Sequence, residues 1–209
     1  MRKLGIQVEN KIYYTLDYLD KPRWVSLWHQ INEVTSKKPK SILEVGMGNG
    51  LVKHTLTLLG YSVKTLDHDR RLKPDYVGDI RQLSFRARSF DIILCAQVLE
   101  HLPFEEFLGC LLELHRVVKR YVILTLPHDY LTYFLVQLKI IPYLKPLTFF
   151  RTVPRLQTHT FNGQHYWEIG KRGYPLNKIK EKITGAGFTI EKTYLLPENP
   201  YHRFFILRK

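Results

Sequence analysis

Ser-Ile-Leu-Glu-Val-Gly-Met-Gly-Asn-Gly, residues 41–50, is the stretch on which the fold of this chain turns. Ile42, Leu43 and Val45 form a short apolar run that suits a buried strand. The run carries one acid, Glu44, and then meets glycine at every second position: Gly46, Gly48 and Gly50. Glycine lets the backbone turn sharply and approach a ligand where a Cβ would collide. Asn49 is a suitable N-cap, and a helical pattern runs over 49–59 to a stop at Gly60. Strand, glycine loop and helix are how an open α/β sheet presents a nucleotide-like ligand at the carboxyl ends of its strands.

The glycine spacing narrows the ligand. The dinucleotide fingerprint needs Gly or Ala at position 51, which is Leu51, so a dehydrogenase is disfavoured. No Gly-Lys-Ser/Thr follows, so the loop is not a P-loop. A second strand is expected over 62–66, closed by Asp67, 21 positions after Gly46. In such folds an acid about 20 residues on receives a ribose diol, and a carboxylate offers two acceptor oxygens to two hydroxyls. Asp69 is the second candidate, and His68 lies between the two. A short third strand over 75–79 ends in Gly-Asp, at Gly78 and Asp79, with Ile80 after it. A fourth strand sits in Ser-Phe-Asp-Ile-Ile-Leu-Cys-Ala-Gln-Val-Leu-Glu-His-Leu, residues 89–102.

Taken in order, these elements resemble the class I S-adenosylmethionine-dependent methyltransferases over about residues 40–127. Glu44-x-Gly46-x-Gly48-x-Gly50 is similar to the family's first motif, and residues 90–102 are similar to its FD-x-V-x-x-x-x-x-LEHL segment. The resemblance implies an α/β fold with a Rossmann-like, doubly wound, seven-stranded sheet, mostly parallel with an antiparallel C-terminal strand. It implies S-adenosylmethionine as cofactor. It places Glu44, Gly46, Gly48 and Gly50 around that cofactor, and Asp67 with His68 at its ribose. It sets Asp79 against the adenine amino group, Ile80 on the ring, and Gln97 and Val98 at the methionine end. Glu100 and His101 either cap the helix after Pro103 or face the methyl acceptor.

The chain has 209 residues, enough for one domain with a large core. The start of the chain shows no signal-peptide pattern, and Cys95 and Cys110 read as reduced core thiols, so a cytoplasmic protein is expected. No Cys/His spacing resembles a zinc site, and methyl transfer from a sulfonium requires no metal. The formal net charge is +13, and the excess lies outside the cofactor core. Residues 1–40 carry eight Lys/Arg against four Asp/Glu, and residues 128–209 carry thirteen against five. A basic cover suits an anionic acceptor, a nucleic acid or an anionic membrane surface, or it is simply a solvated face.

Residues 1–40 read as an N-terminal helical cap, with Asp20 as N-cap and Pro22 in the first turn. Trp24, Leu27, Trp28 and Ile31 recur at helical spacing and form a face expected to pack on the sheet. A helix over 104–118 puts Phe104, Phe107, Leu108, Leu111 and Leu112 on one stripe, with His115 packed among them. A fifth strand spans 120–126. A helix follows from Leu176 through Ile179, Ile183 and Ala186 to Gly187, and two strands, 188–195 and 203–207, close the chain.

Residues 128–170 are the least family-like part. They read as an insertion that is a lid over the acceptor, a membrane contact or a dimer surface. Within it His165 could take a proton from an acceptor hydroxyl or amine, with His101 as the second catalytic candidate. Trp167 either stacks on the acceptor or pins the insertion to the sheet.

The function expected is methyl transfer to a small-molecule or lipid-like acceptor. The alternatives are an RNA or other polyanion methyltransferase, or a silent partner subunit of the same fold. Residues 96–99, Ala-Gln-Val-Leu, lack the Pro-Pro-aromatic motif of base-amine methyltransferases.

Overall fold

A computed structural model describes residues 9–139 and 147–209. The chain runs through α1 (Lys21–Ser36), β1 (Ile42–Val45), α2 (Leu51–Leu58), β2 (Val63–Asp67), β3 (Tyr76–Val77) and β4 (Phe90–Ala96). It continues through α3 (Phe107–Val117), β5 (Val118–Pro127), β6 (Thr132–Leu138), β7 (Leu147–Val153), α4 (Leu176–Gly185), β8 (Thr189–Leu195) and β9 (His202–Arg208). Seven strands form one sheet in the order β3-β2-β1-β4-β5-β9-β8. The first five are parallel, and β9 and β8 add antiparallel. The strand order reverses between β1 and β4, which opens a crevice at their carboxyl ends.

The period-2 geometry of the strands sorts the apolar residues into two cores. Leu43, Val45, Ile93, Cys95, Val122, Leu124, Phe205 and Leu207 face α3 and α4, where they meet Phe107, Leu111, Leu114, Ile179 and Ile183. Ile42, Ile92, Leu94, Ile123 and Ile206 face the other way, toward Val34 of α1 and Val52 and Leu56 of α2. Both faces are covered, so the central strands are continuously apolar; each buried Leu, Ile or Phe contributes about 1.5–3 kcal/mol. Both cysteines are buried and unbridged.

Several sequence expectations are corrected. The N-cap of α2 is Gly50 at φ +75°, not Asn49, whose Oδ1 accepts from the Leu51 N–H at 3.2 Å. The helix itself is shorter than 49–59. Trp24 and Trp28 do not pack on the sheet; they are 50% and 59% exposed. The inward face of α1 carries Ser26, Gln30, Glu33 and Val34. Polar anchors set that rotation. Ser26 Oγ meets His202 Nδ1 at 2.7 Å, and Glu33 Oε1 accepts from both Lys192 and Tyr194 at 2.7 Å. Leu112 is half exposed, and residues 104–106 form a 3-10 turn ahead of α3. His115 packs edge-on against Phe188, as a structural histidine.

The insertion contains a two-stranded antiparallel ribbon, β6–β7, separate from the main sheet. Every residue of β6 is exposed. Pro142, Lys145 and Pro146, and the basic residues Arg2 and Lys3, lie outside the described residues.

Candidate functional site

A cavity of about 350 Å³ opens at the carboxyl ends of β1, β2 and β4. Its lining includes Glu44, Gly46, Gly48, Asp67, His68, Asp79, Ile80, Gln97, Val98, His101 and His165. Of the candidate residues only Gly50 stands back, serving as the cap of α2.

The glycine loop is shaped by two close approaches. A Cβ on Gly46, at φ +78°, would lie 2.3 Å from Cγ2 of Val98, so only glycine lets the β1 loop pass the β4 loop. At Gly48, φ +52°, a Cβ would meet Tyr13 and Tyr18 at 3.8 Å, in ordinary contact, and the residue lines the cavity beneath them. Asp67 organises the loop. Its Oδ2 accepts from the Met47 N–H at 3.1 Å and its Oδ1 from the Asp69 N–H at 2.9 Å. His68 Nδ1 lies 3.4 Å from the same Oδ1. Asp69 pairs with Arg71, whose guanidinium holds the Asp69 carboxyl below its usual range against the opposing effect of burial. Asp69 lines the cavity beside Asp67, but its carboxylate is committed to Arg71.

Asp79 is clamped by Arg81, with Nη2 2.6 Å from Oδ2, and Arg81 reaches on to Glu106. Burial raises the Asp79 carboxyl, but the Arg81 contacts outweigh it and the net direction is down. Glu44 is buried, with Oε2 lacking a hydrogen-bond partner, and burial pushes its pKa up to about 8.

The other end of the cavity is built from distant segments. Glu100 is fully buried in the turn after β4 and caps no helix. Burial raises its pKa to about 7, partly offset by His165. With its amide oriented to satisfy both ends, Gln97 donates to Glu100 Oε1 at 3.3 Å and accepts from the Leu126 N–H. Gln97 holds φ +54°, a strained backbone fixed by this network. His101 Nδ1 lies 3.0 Å from the Gln164 carbonyl; burial, then the charge of His165, lowers its pKa to about 4. His165 stands with its ring 5.0 Å from that of His101. Its Nδ1 meets Glu168 Oε1 at 2.9 Å and the Tyr201 hydroxyl at 3.2 Å. Burial would lower His165, but Glu168 and Glu100 overcome that and raise it.

Trp167 does not reach the cavity. It is fully buried, donates from Nε1 to the Leu102 carbonyl at 3.1 Å, and packs on Phe104 and Phe107. It is the pin that holds Gln164 and His165 beside the β4 turn.

Sequence reasoning missed the roof of the cavity: Tyr13, Tyr18 and Arg23, with Tyr201 and His202 along the wall. Tyr13 and Tyr18 meet edge-on at 5.1 Å, and the Arg23 guanidinium lies 4.0 Å over the Tyr18 ring. Asn49 Nδ2 donates to the Tyr13 carbonyl at 3.2 Å and fastens this roof to the glycine loop. A tyrosine-rich run before a capped helix was the only signal. Among the described residues of β6 and β7, none lines the cavity.

Residues 43–126 match the family described as "Methyltransferase domain". No curated protein matches the chain. Among solved structures, it is similar to a 1,6-didemethyltoxoflavin-N1-methyltransferase from Burkholderia thailandensis, crystallised with 1,6-didemethyltoxoflavin and S-adenosylhomocysteine. The TM-score is 0.61 at 14% identity, covering 100% of this chain and 92% of that one. It is similar to the PH0226 protein of Pyrococcus horikoshii OT3, with TM-score 0.61, 15% identity, and 94% and 92% covered. It is also similar to the magnesium protoporphyrin IX methyltransferase of Synechocystis PCC 6803, crystallised with S-adenosylmethionine. There the TM-score is 0.59 at 16% identity, with 90% and 80% covered.

Proposed function

We propose that this chain, whose residues 43–126 match the methyltransferase-domain family, is a class I S-adenosylmethionine-dependent methyltransferase that methylates a small-molecule or lipid-like acceptor seated against His101 and His165. S-adenosylmethionine is its cofactor, and the cavity has the features that ligand needs. Gly48 lines the cavity at φ +52°, a conformation that favours glycine, and Asp67 presents a carboxylate to it. The orphaned, buried Oε2 of Glu44 is the observation that carries the reading. It calls for a donor or cation in the cavity, and the ligand's ammonium group is one. Asp67 would hold the ribose, Ile80 the adenine face, and Gln97 and Val98 the methionine portion.

When bound, the cofactor supplies a methyl group already activated on a sulfonium. The protein's task is to hold the acceptor in line, exclude water and manage the acceptor's proton. Tyr13, Tyr18 and Arg23 cover the cavity. Glu168 and Tyr201 fix the ring of His165, which has the basicity to take up that proton.

The test is Asp67→Ala, read by S-adenosylhomocysteine calorimetry and thermal unfolding. Losing charge-assisted hydrogen bonds should weaken binding roughly 10- to 100-fold. The fold should survive, with about 1–2 kcal/mol lost because two backbone N–H groups lose their acceptor. Unchanged affinity would overturn the assignment of Asp67.

A lipid-like acceptor is favoured by the ribbon. Phe134, Val136, Leu138, Leu147 and Phe149 are each more than half exposed, on a chain of charge +13. Apolar side chains beside a basic body suit an anionic lipid surface. Co-sedimentation with phosphatidylserine vesicles, weakened by Phe134→Ser together with Phe149→Ser, is the expected result. No pelleting with neutral or anionic vesicles would favour a soluble acceptor.

A further inference from the structure

We infer that Glu100, His101 and His165 bind one divalent transition-metal cation at the acceptor end of the cavity. The reading of what that cation does rests on the proposed methyltransferase function; the site itself rests on geometry. One ligand atom from each of the three residues lies within 4.8 Å of the other two. The three come from two segments that Trp167 and the Tyr166 N–H→Glu100 carbonyl bond, 2.8 Å, lock together.

Glu100 supplies the first independent sign. It is fully buried, and its Oε2 has no hydrogen-bond partner. A buried carboxylate oxygen left without a donor is costly, and a metal ion is a partner that removes the cost. Its Oε1 is held by Gln97, which fixes the direction in which the carboxylate faces.

The histidines supply the second. Each ring has its Nδ1 against an acceptor: the Gln164 carbonyl for His101, the Glu168 carboxylate for His165. For His165 the carboxylate acceptor places the ring proton on Nδ1 and the lone pair on Nε2. A carbonyl or carboxylate behind each imidazole is the support that metal-bound histidines have. Tyr201 donates to the same Glu168 oxygen at 2.7 Å, so the carboxylate behind His165 is itself fixed.

Two imidazoles and one carboxylate select a first-row transition metal over Mg²⁺ or Ca²⁺, which prefer oxygen. Three protein ligands leave positions open. His101 and His165 line the cavity, so those positions face the acceptor. The substrate class that follows is an acceptor with a hydroxyl, or two neighbouring oxygens, able to ligate the cation. A bound cation lowers the pKa of such a hydroxyl, taking over the part otherwise left to His165 as a base.

The test uses untagged full-length protein, stripped with chelator and titrated with Co²⁺, whose visible absorption reports nitrogen and oxygen ligation. One equivalent per chain should bind. Glu100→Gln and His165→Gln should each weaken binding by about tenfold or more, and Glu168→Gln by about tenfold through the loosened ring. S-adenosylhomocysteine binding, measured in parallel, should persist in all three and shows that each is folded. No Co²⁺ binding by the wild type, or equal binding by the Glu100 and His165 variants, overturns the site. Co²⁺ binding without any S-adenosylhomocysteine binding overturns the proposed function and leaves the site standing.

Discussion

The two ends of the cavity are built in opposite ways. At the glycine-loop end, each acid except Glu44 has a partner two residues away in sequence. Asp67 takes the N–H of Asp69, two residues on, and that of Met47, twenty residues back across adjacent strands. Asp69 and Asp79 each pair with an arginine two residues ahead. At the acceptor end, His101 meets the Gln164 carbonyl across 63 residues, and His165 meets Tyr201 across 36. The first end is a rigid cradle of local contacts. The second is a buried polar cluster with shifted titrations, Glu100 up to about 7 and His101 down to about 4. Shifted groups in a cleft mark where chemistry is managed, whereas locally paired ones mark where a ligand is held.

The largest expected effect breaks the cradle. Gly46→Ala would force a Cβ to 2.3 Å from a branched Val98 side chain while holding φ at +78°. The overlap and the left-handed strain together should cost roughly 3 kcal/mol. Thermal unfolding and S-adenosylhomocysteine calorimetry should both register it. A variant as stable as the wild type, with intact binding, would mean the cradle is softer than its contacts indicate.

A smaller effect sharpens the other end. Glu100 has a folded pKa of about 7 against an ordinary carboxyl value of 4.5. A group raised on folding contributes stability that is full below its unfolded pKa and is lost as pH rises through the folded one. In chelator-containing buffer the wild type should therefore lose on the order of 2 kcal/mol, relative to Glu100→Gln, between pH 4.5 and 7. Denaturant unfolding at a series of pH values measures the difference. Parallel curves for the two proteins would show that Glu100 is solvated, and the contrast between the two ends would fall.

Much of the fold and of the cradle was legible because strand alternation and glycine spacing leave their mark on adjacent positions. Ile42, Leu43 and Val45 announced β1, and the 21 positions from Gly46 to Asp67 announced the crossover to β2. Helix faces were harder. The stripe of Trp24, Leu27, Trp28 and Ile31 was real, but α1 is rotated to bury Ser26, Gln30 and Glu33, because polar partners at the start of β9 and on β8 receive Ser26 and Glu33. The Glu-His of residues 100–101 was noticed, yet helix capping and acceptor binding were equally open. Nothing near it in sequence names Gln97, Gln164 or His165 as its partners.

Sequence alone thus determined the doubly wound sheet and the glycine loop at its carboxyl ends, because backbone turns and period-2 strands constrain residues close along the chain. Tertiary structure decided that Tyr13 and Tyr18 roof the cavity, that Trp167 is a pin, and that Glu100, His101 and His165 converge. Those meetings depend on which loops the order β1-β4-β5-β9 brings to one end of the sheet. Contacts across 36 and 63 residues follow from that order and from packing, and no spacing in the chain records them.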